Sequence, residues 1–440
     1  MRRFSTQSFL FILLGLLPFL FAGRLMGQEL PAVVVNEIMA SNANTLADED
    51  GDFSDWIELW NTSGEAVDLE GWGLSDDDDA PYKWVFPAVQ IEAGAYLLVW
   101  ASNKERSAVV GELHTSFAIS GDGEPIVLTN AEGERVHRMP PMPLGGDISY
   151  GLLPGEEGFF FFDEPTPGLA NTTVGYVEVL EEGVNFSHSG GFYPEDFVLT
   201  LSVDDPELTI YYTLDGSEPD AAALEGSSFL YKNSYPGGSL QEGSSRTYVY
   251  SDPISIGDRS AEPYVLAGIN ARYSGSPYLP QSANIFKGTV VRARAVKEHA
   301  LSLRTDTESY FIAPEGAGRY DLPVVSIATD WAHFFDYESG IYVAGKYADE
   351  WVAANPGESW DDGRPGNYNQ RGQDWEKPGH FEYFPGNGDP AYKHDVGLRI
   401  HGGWSRAFYR KSLRVYARNA YGSGNTLAYP FFGELPSQGD

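Results

Sequence analysis

Alternating apolar and polar positions dominate the first part of the chain. In DWIELW, the side chains of Trp56, Glu58 and Trp60 face one way and those of Ile57 and Leu59 the other, which is the period of a β-strand. Similar runs, each bounded by Gly, Asp or Asn, are AVVVNEIMASN, VDLEGWGLSDD, KWVFPAVQIEAGAYLLVWAS and EPIVLTNAEGERV. Short strands at this spacing predict an immunoglobulin-like β-sandwich over residues 32–173.

The same alternation continues in the middle of the chain. Strands are predicted at residues 197–203 and 208–214, before a DGSEP turn, and TVVRARAVKEHALSLRTDTESYFI supplies two more. These patterns predict a second strand-rich region over residues 174–313. Residues 222–285 within it are rich in Ser, Gly, Pro and Tyr, so we expect a long inserted loop there. Tyrosines in such a loop either stack on a carbohydrate ligand or only pack the loop.

A third group of strands is predicted over residues 320–440. DLPVVSIATD and HFEYFP are followed by GLRIHGGWSRAFYRKSLRVYAR at residues 397–418, which predicts two strands joined by a Gly-Gly turn. With 49 Gly and 28 Pro among 440 residues, the composition also favours short strands and tight turns over helical bundles. The fold class predicted for the whole chain is therefore mainly β.

The N-terminus predicts export. An apolar run at residues 9–22 follows Arg2 and Arg3, and it is shorter than the roughly 20 residues that span a bilayer. This pattern predicts a signal peptide over residues 1–27 and hence a secreted or cell-surface protein with no stable membrane anchor. The chain has no cysteine, so core burial must replace disulfide bonds, and thiol catalysis and zinc–thiolate sites are excluded.

The charge distribution separates one segment from the rest of the chain. A formal net charge of −34 argues against nucleic acid as a partner. Between residues 393 and 418, however, seven Lys or Arg side chains accompany a single acid, Asp395. If residues 410–418 form a strand, Lys411 lies on its apolar face with Leu413 and Val415, and the arginines lie on the other face.

This basic segment predicts phosphate binding. Burying a charged lysine on an apolar face costs free energy unless an anion pairs with it. The preceding Gly402 and Gly403 let backbone amides approach a phosphate closely. Protein kinases use a Gly-rich turn and an inward lysine on the next strand to hold nucleotide phosphates. In the alternative interpretation, Lys411 reaches solvent at a strand end and the arginines pair with the protein's own carboxylates.

An acidic loop in the first region is a candidate calcium site. Carboxylate oxygens are the ligands that Ca²⁺ prefers, and the loop LADEDGDFSDWIE is dense in them. It is not an EF-hand, because Phe53 stands where that loop requires glycine and no helices flank it. The alternative is a solvated acidic turn. The candidate ligands are Asp48, Asp50, Asp52, Asp55 and Glu58.

Two sets of motifs resemble non-catalytic modules. VVNEIMASN, DWIELWN, VDLEGWGLSDD and LLVWAS together resemble the lamin-tail domain over about residues 32–150. This resemblance implies a binding or structural module. TIYYTLDGSEPD and VVRARAV resemble the C-terminal domain of chitobiase and β-hexosaminidase type enzymes, which implies a second, non-catalytic immunoglobulin-like β-sandwich over residues 174–313.

The third region resembles the N-terminal part of the spore-coat protein H (CotH) kinase family. LPVVSI, GIYVAG, YNQRGQDWEKPGHFEYF and the basic segment occur in family order. The resemblance implies the β-rich part of an α+β kinase-like domain, with ATP and Mg²⁺ as cofactors. It places Arg399, Ser405 and Lys411 at nucleotide-contacting positions, beside the Gly402–Gly403 turn.

The acids that such a kinase needs should follow the lysine strand, yet Glu434 and Asp440 are the only acids after Arg418. We therefore expect the kinase region to be incomplete in this chain and the chain alone to be inactive. The competing hypothesis is a non-catalytic adhesive, structural or carbohydrate-binding surface protein. In both cases the expected partners are exported proteins or components of the cell envelope.

Overall fold

The computed structural model describes residues 30–107, 111–272, 285–359, 364–386, 391–418, 421–422 and 424–431. The predicted signal peptide and the two acids of the tail, Glu434 and Asp440, lie outside these ranges. Strands dominate the described residues and helices are short, which confirms the mainly β fold class. None of the helices in these ranges is long and apolar enough to cross a membrane.

The first region is built from two antiparallel sheets that enclose one core. A five-stranded sheet has the order β11-β10-β1-β2-β7, and a four-stranded sheet has the order β5-β4-β8-β9. Apolar side chains from both sheets, such as Ile57, Leu74 and Leu128, meet in the core. The strands are β1 (Val33–Met39), β2 (Asp55–Asn61), β3 (Val67–Asp68), β4 (Gly73–Ser75), β5 (Trp84–Val85), β6 (Gln90–Ile91), β7 (Tyr96–Ala101), β8 (Ile126–Thr129), β9 (Arg135–Met139), β10 (Ser149–Leu152) and β11 (Phe159–Phe162).

Strand β2 is buried on both faces, which the alternating pattern alone did not indicate. Ile57 and Leu59 face the core between the sheets, as predicted. On the other face, Trp56 packs with Met39 and Trp100, and the buried Glu58 accepts a hydrogen bond from the backbone of residue 168. The polar side of the strand is therefore covered by a later loop of the same region.

The second region contains a five-stranded sheet of order β14-β24-β22-β17-β20 and several two-stranded pairs. The strand predicted at residues 197–203 is interrupted at Thr200, because β15 pairs with β21 while β16 pairs with β13. The strands are β12 (Glu178–Leu180), β13 (Asn185–Phe186), β14 (Gly191–Tyr193), β15 (Phe197–Leu199), β16 (Leu201–Ser202), β17 (Thr209–Thr213), β18 (Ser227–Lys232), β19 (Leu240–Ser245), β20 (Tyr248–Val249), β21 (Ile254–Ile256), β22 (Thr289–Val296), β23 (Ala300–Ser302) and β24 (Asp306–Ile312).

The third region is one four-stranded antiparallel sheet with the order β25-β26-β27-β28 and two helices. Its elements are β25 (Val324–Ala328), α1 (Trp331–Phe335), α2 (Gly345–Ala354), β26 (Lys377–Phe384), β27 (Tyr392–His401) and β28 (Ser412–Tyr416). The last strand begins at Ser412, two residues later than predicted. The connection before it is longer than a Gly-Gly turn, because Trp404–Ala407 forms a turn of 3₁₀ helix.

The long insertion of the second region is part of the packing of the third. Strands β18 and β19 form a hairpin within it. Phe229 and Ile269 share a hydrophobic cluster with Val343, and the buried Tyr235 packs against Tyr368 and neighbouring residues of the third region. Lys232 forms an ion pair with Asp349 of α2. The predicted loop is therefore a structural bridge between the second and third regions.

Candidate functional site

Three of the five candidate calcium ligands converge in the loop between β1 and β2. Asp48 Oδ1 accepts the backbone N–H groups of Asp50 and Asp52, each at 3.0 Å, which turns the chain back on itself. One carboxylate oxygen from each of these three aspartates then comes within 4.8 Å of the others. Asp55 and Glu58 lie apart from this cluster, because Asp55 accepts the N–H of residue 42 and Glu58 accepts the side-chain amide of residue 36.

An ammonium group lies between the three converging carboxylates. Lys104 Nζ donates to Asp48 at 2.6 Å, to Asp50 at 2.8 Å and to Asp52 at 2.9 Å. Desolvation opposes ionisation of Asp48, but hydrogen bonds from Lys104 and Ser54 lower its pKa to about 2. Desolvation likewise opposes the charge of Lys104, and its three carboxylate partners raise its pKa. The side chain of Lys104 thus supplies the positive charge that we had assigned to Ca²⁺.

On the outer face of the third sheet, the basic segment binds an internal carboxylate. The buried Glu376 forms an ion pair with Arg399 Nε at 2.9 Å, and it accepts hydrogen bonds from Arg418 Nε at 2.7 Å and from the Tyr421 hydroxyl at 2.9 Å. Gly397 of β27 leaves room for this carboxylate, because a Cβ there would lie 2.2 Å from Glu376 Oε1. Glu376 therefore neutralises two of the seven basic residues, and a third, Lys393, forms an ion pair with Glu308.

Lys411 is buried on the opposite, apolar face. Its Nζ donates to the carbonyl oxygen of Ala271 at 2.6 Å and to that of Phe408. The rings of Tyr342 and Tyr368 flank the ammonium, with centroids 5.1 and 4.5 Å away. The predicted inward orientation is present, and the partners are carbonyl dipoles and aromatic faces.

The five predicted nucleotide contacts therefore do not share one face of the sheet. Arg399 pairs across the ladder with Arg414 and contacts Glu376, whereas Lys411 contacts the core side. The remaining three, Gly402, Gly403 and Ser405, lie in the connection between β27 and β28. Within the described ranges, a Cβ on Gly403 would meet no atom within 4 Å, so its backbone is open to a ligand.

Three arginines outside the predicted set form a positive cluster beside this connection. Arg406 is buried, and its guanidinium donates to the carbonyl oxygens of Gly402 at 2.8 Å, of Tyr368 at 2.9 Å and of Gln370 at 3.1 Å. Desolvation, and then repulsion from the exposed Arg371 and Arg414, lowers the pKa of Arg406.

None of Arg371, Arg406 and Arg414 forms an ion pair within the described parts of the chain. The sequence contained a signal for this cluster, since Arg371 belongs to the CotH-like motif NQRGQ and Arg406 follows the Gly-Gly pair. Their proximity depends on the carbonyl of Gln370, which binds Arg406 and places the next residue, Arg371, beside it. Only the fold brings these positions together.

The tyrosines of the insertion were the candidate carbohydrate contacts. Tyr235 is buried in the core shared with the third region. Tyr248 is exposed and stacks on Tyr212, with ring centroids 5.4 Å apart. The guanidinium of Arg246 also lies over the Tyr248 ring, 5.4 Å from its centroid, so this exposed tyrosine already packs against two neighbours.

Comparisons with protein families assign the first two regions. Residues 28–141 match the family model of the Lamin Tail Domain, and residues 199–310 match the family described as Fn3 associated. No curated protein matches the chain. The lamin-tail resemblance is thus confirmed, while the chitobiase and CotH resemblances stay predictions. The chain is a mainly β protein of extracellular type, with one region similar to lamin tail domains and one similar to Fn3-associated domains.

Proposed function

We propose that the protein is exported to the cell surface or the extracellular matrix, and that its third region binds the phosphates of a nucleotide. The observation that carries this proposal is the cluster of Arg371, Arg406 and Arg414, which has no acidic partner in the described ranges although the chain has a net charge of −34. Guanidinium groups held close together repel one another, and a polyphosphate relieves that repulsion while accepting charge-assisted hydrogen bonds.

The connection between β27 and β28 supports the same function. Gly402 has a φ of +115°, a conformation that favours glycine, and the backbone of Gly403 is open. Exposed backbone amides beside guanidinium groups are a common way to hold phosphate. Together with the CotH-like motifs, this arrangement supports a nucleotide-binding lobe of the CotH kinase type.

The residues present fit the nucleotide but not Mg²⁺. Bound Mg²⁺ requires carboxylates that are free to coordinate it, and Glu376, the buried acid of this face, is already bound by Arg399 and Arg418. We therefore assign phosphate binding to these residues and derive no step of phosphoryl transfer.

Calorimetric titration with ATP and with inorganic tripolyphosphate tests the phosphate site. A double variant, Arg371→Ala with Arg414→Ala, removes two exposed side chains and should leave the fold intact. Because each charge-assisted contact is worth about 1.5–3 kcal/mol, the double variant should bind both ATP and tripolyphosphate at least about a hundredfold more weakly than the wild type. The matched control is Arg246→Ala, which removes an exposed arginine of the second region and should change nothing. Equal binding by the double variant and the wild type would overturn the assignment.

The second candidate function is a non-catalytic adhesive or structural surface protein. It is favoured by the internal neutralisation of Arg399 and Arg418 by Glu376, which stabilises the sheet and leaves those two arginines unavailable to a ligand. Absence of any ATP or tripolyphosphate binding by the wild type would favour this function over the first.

Export rests on the charged N-terminus and the short apolar run that follows it. The mature protein should be recovered outside the cytoplasm with its N-terminus near Gln28, as read by N-terminal sequencing or mass spectrometry. Recovery of the uncleaved chain from the cytosolic fraction would contradict export.

A further inference from the structure

Two large aromatic side chains project into solvent beside the arginine cluster. Trp404 is 65% exposed and Phe408 is 43% exposed, and both belong to the connection between β27 and β28. Trp404 is the only exposed tryptophan in the described parts of the chain. Because exposure of an indole ring to water is unfavourable, an exposed tryptophan at a charged site points to a ligand that covers it.

The backbone that carries these rings is fixed. Phe408 N–H donates to Ser405 O at 3.1 Å, and the buried Arg406 ties the turn to the carbonyl oxygens of Gly402 and Tyr368. Ala407 is buried between the two aromatic residues. The aromatic rings therefore project from an anchored turn whose core side is already packed, which limits the entropy lost when a ligand stacks on them.

The combination of groups defines the chemistry of the ligand. The arginine cluster requires several negative charges on one molecule, and an exposed indole beside it suits a flat aromatic ring. A nucleoside di- or triphosphate carries both, because every base has a flat π-face that can stack on an aromatic side chain. We infer that Trp404, assisted by Phe408, is the base-stacking platform of the site and that the ligand is a nucleoside di- or triphosphate.

This inference rests on the proposed phosphate site, and its test separates the two. Calorimetry on the full chain compares ATP with inorganic tripolyphosphate, which has the charge but no base. The wild type should bind ATP about tenfold or more tightly than tripolyphosphate, because stacking adds to the phosphate contacts. Trp404→Ala should reduce the affinity for ATP to that for tripolyphosphate and leave tripolyphosphate binding unchanged.

Two further variants show whether the ring itself is responsible. Trp404→Phe keeps an aromatic face and should restore most of the preference for ATP. Leu322→Ala removes another exposed apolar side chain of the same region, 76% exposed, and should have no effect on either ligand.

Three results would overturn the inference. If Trp404→Ala binds ATP as tightly as the wild type does, the base does not stack there, although the phosphate site stands. If the wild type binds neither ligand, the proposed function fails and the platform with it. If Trp404→Ala instead converts an oligomer into a monomer, as measured by light scattering, the aromatic pair is an interface between copies of the chain.

Discussion

Glu37 and Glu58 lie directly opposite each other on the antiparallel strands β1 and β2, and both side chains are fully buried. Glu37 accepts a hydrogen bond from the Ser149 hydroxyl, and Glu58 accepts one from Asn36 Nδ2 at 2.8 Å. Glu37 Oε2 has no hydrogen-bond partner among the described residues. Desolvation is the largest effect at both sites and raises the pKa of each glutamate to about 7.

We predict that this pair makes the first region less stable as the pH rises. A carboxyl group whose pKa is raised in the folded state contributes stability that is complete below its unfolded pKa of about 4.5 and is lost by about pH 7. Glu37→Gln removes one titrating group, so it should raise the melting temperature at about pH 8 by several degrees and flatten the pH profile. Calorimetric melting of the full chain between about pH 5 and pH 8 measures this.

Glu70→Gln is the matched control, because Glu70 is an exposed carboxylate of the same region. Its melting curve should follow that of the wild type at every pH. A Glu37→Gln variant with the same pH profile as the wild type would show that the buried pair does not titrate in this range.

We expect Lys104 to determine whether the acidic loop responds to calcium. We predict that Lys104→Met lowers the melting temperature in EDTA, because three converging carboxylates then lose their shared cation. Millimolar Ca²⁺ should restore stability to the variant through ligand-linked stabilisation and should leave the wild type unchanged. Lys83→Met, which breaks the ion pair with Asp76 in the same region, should lack the calcium response. A calcium-dependent shift in the wild type would show that the ammonium does not exclude the ion.

The buried carboxylate of Glu376 should be critical for the third sheet. Glu376→Gln leaves the guanidinium groups of Arg399 and Arg418 without their counter-ion, and removing one partner of a buried ion pair costs about 3 kcal/mol. Gly397→Ala should act similarly, because its methyl group displaces the same carboxylate. Urea denaturation measures both effects.

Glu358→Gln is the control, because it breaks an exposed ion pair with Arg364 and should change the free energy of unfolding by less than about 0.5 kcal/mol. A loss in this control as large as the loss in Glu376→Gln would contradict a special role for Glu376.

Lys411 separates the structural from the nucleotide-binding interpretation. We predict that Lys411→Met destabilises the protein by about 2–3 kcal/mol, because the buried carbonyl of Ala271 and the partly buried carbonyl of Phe408 lose their donor and two tyrosine rings lose their cation. Since Ala271 belongs to the insertion, limited proteolysis should also cut the insertion faster in the Lys411→Met variant than in the wild type. Lys346→Met, at an exposed pair with Glu338, is the control for stability. Unchanged stability combined with weaker ATP binding would instead support direct contact between Lys411 and phosphate.

The sequence by itself determined the local features of this protein. Side chains alternate between the two faces of any β-strand, whatever the strand packs against. The alternating pattern of the sequence therefore placed Ile57 and Leu59 in the core, and it placed Lys411 and Arg414 on opposite faces of the sheet. The spacing of Asp48, Asp50 and Asp52 likewise predicted that their carboxylates could converge, since residues two apart in a turn lie close together.

Only the tertiary structure decided which groups meet. Lys104 reaches Asp48 across 56 residues, Glu376 binds Arg418 across 42, and Lys411 meets Ala271 across 140. A pattern of apolar and polar positions fixes the face on which a charge lies, but it does not identify the distant group that the fold brings to that face. The predicted calcium site therefore contains an ammonium, and the predicted loop of the insertion is part of a core, because burial of charge and of apolar area is satisfied by contacts between distant segments.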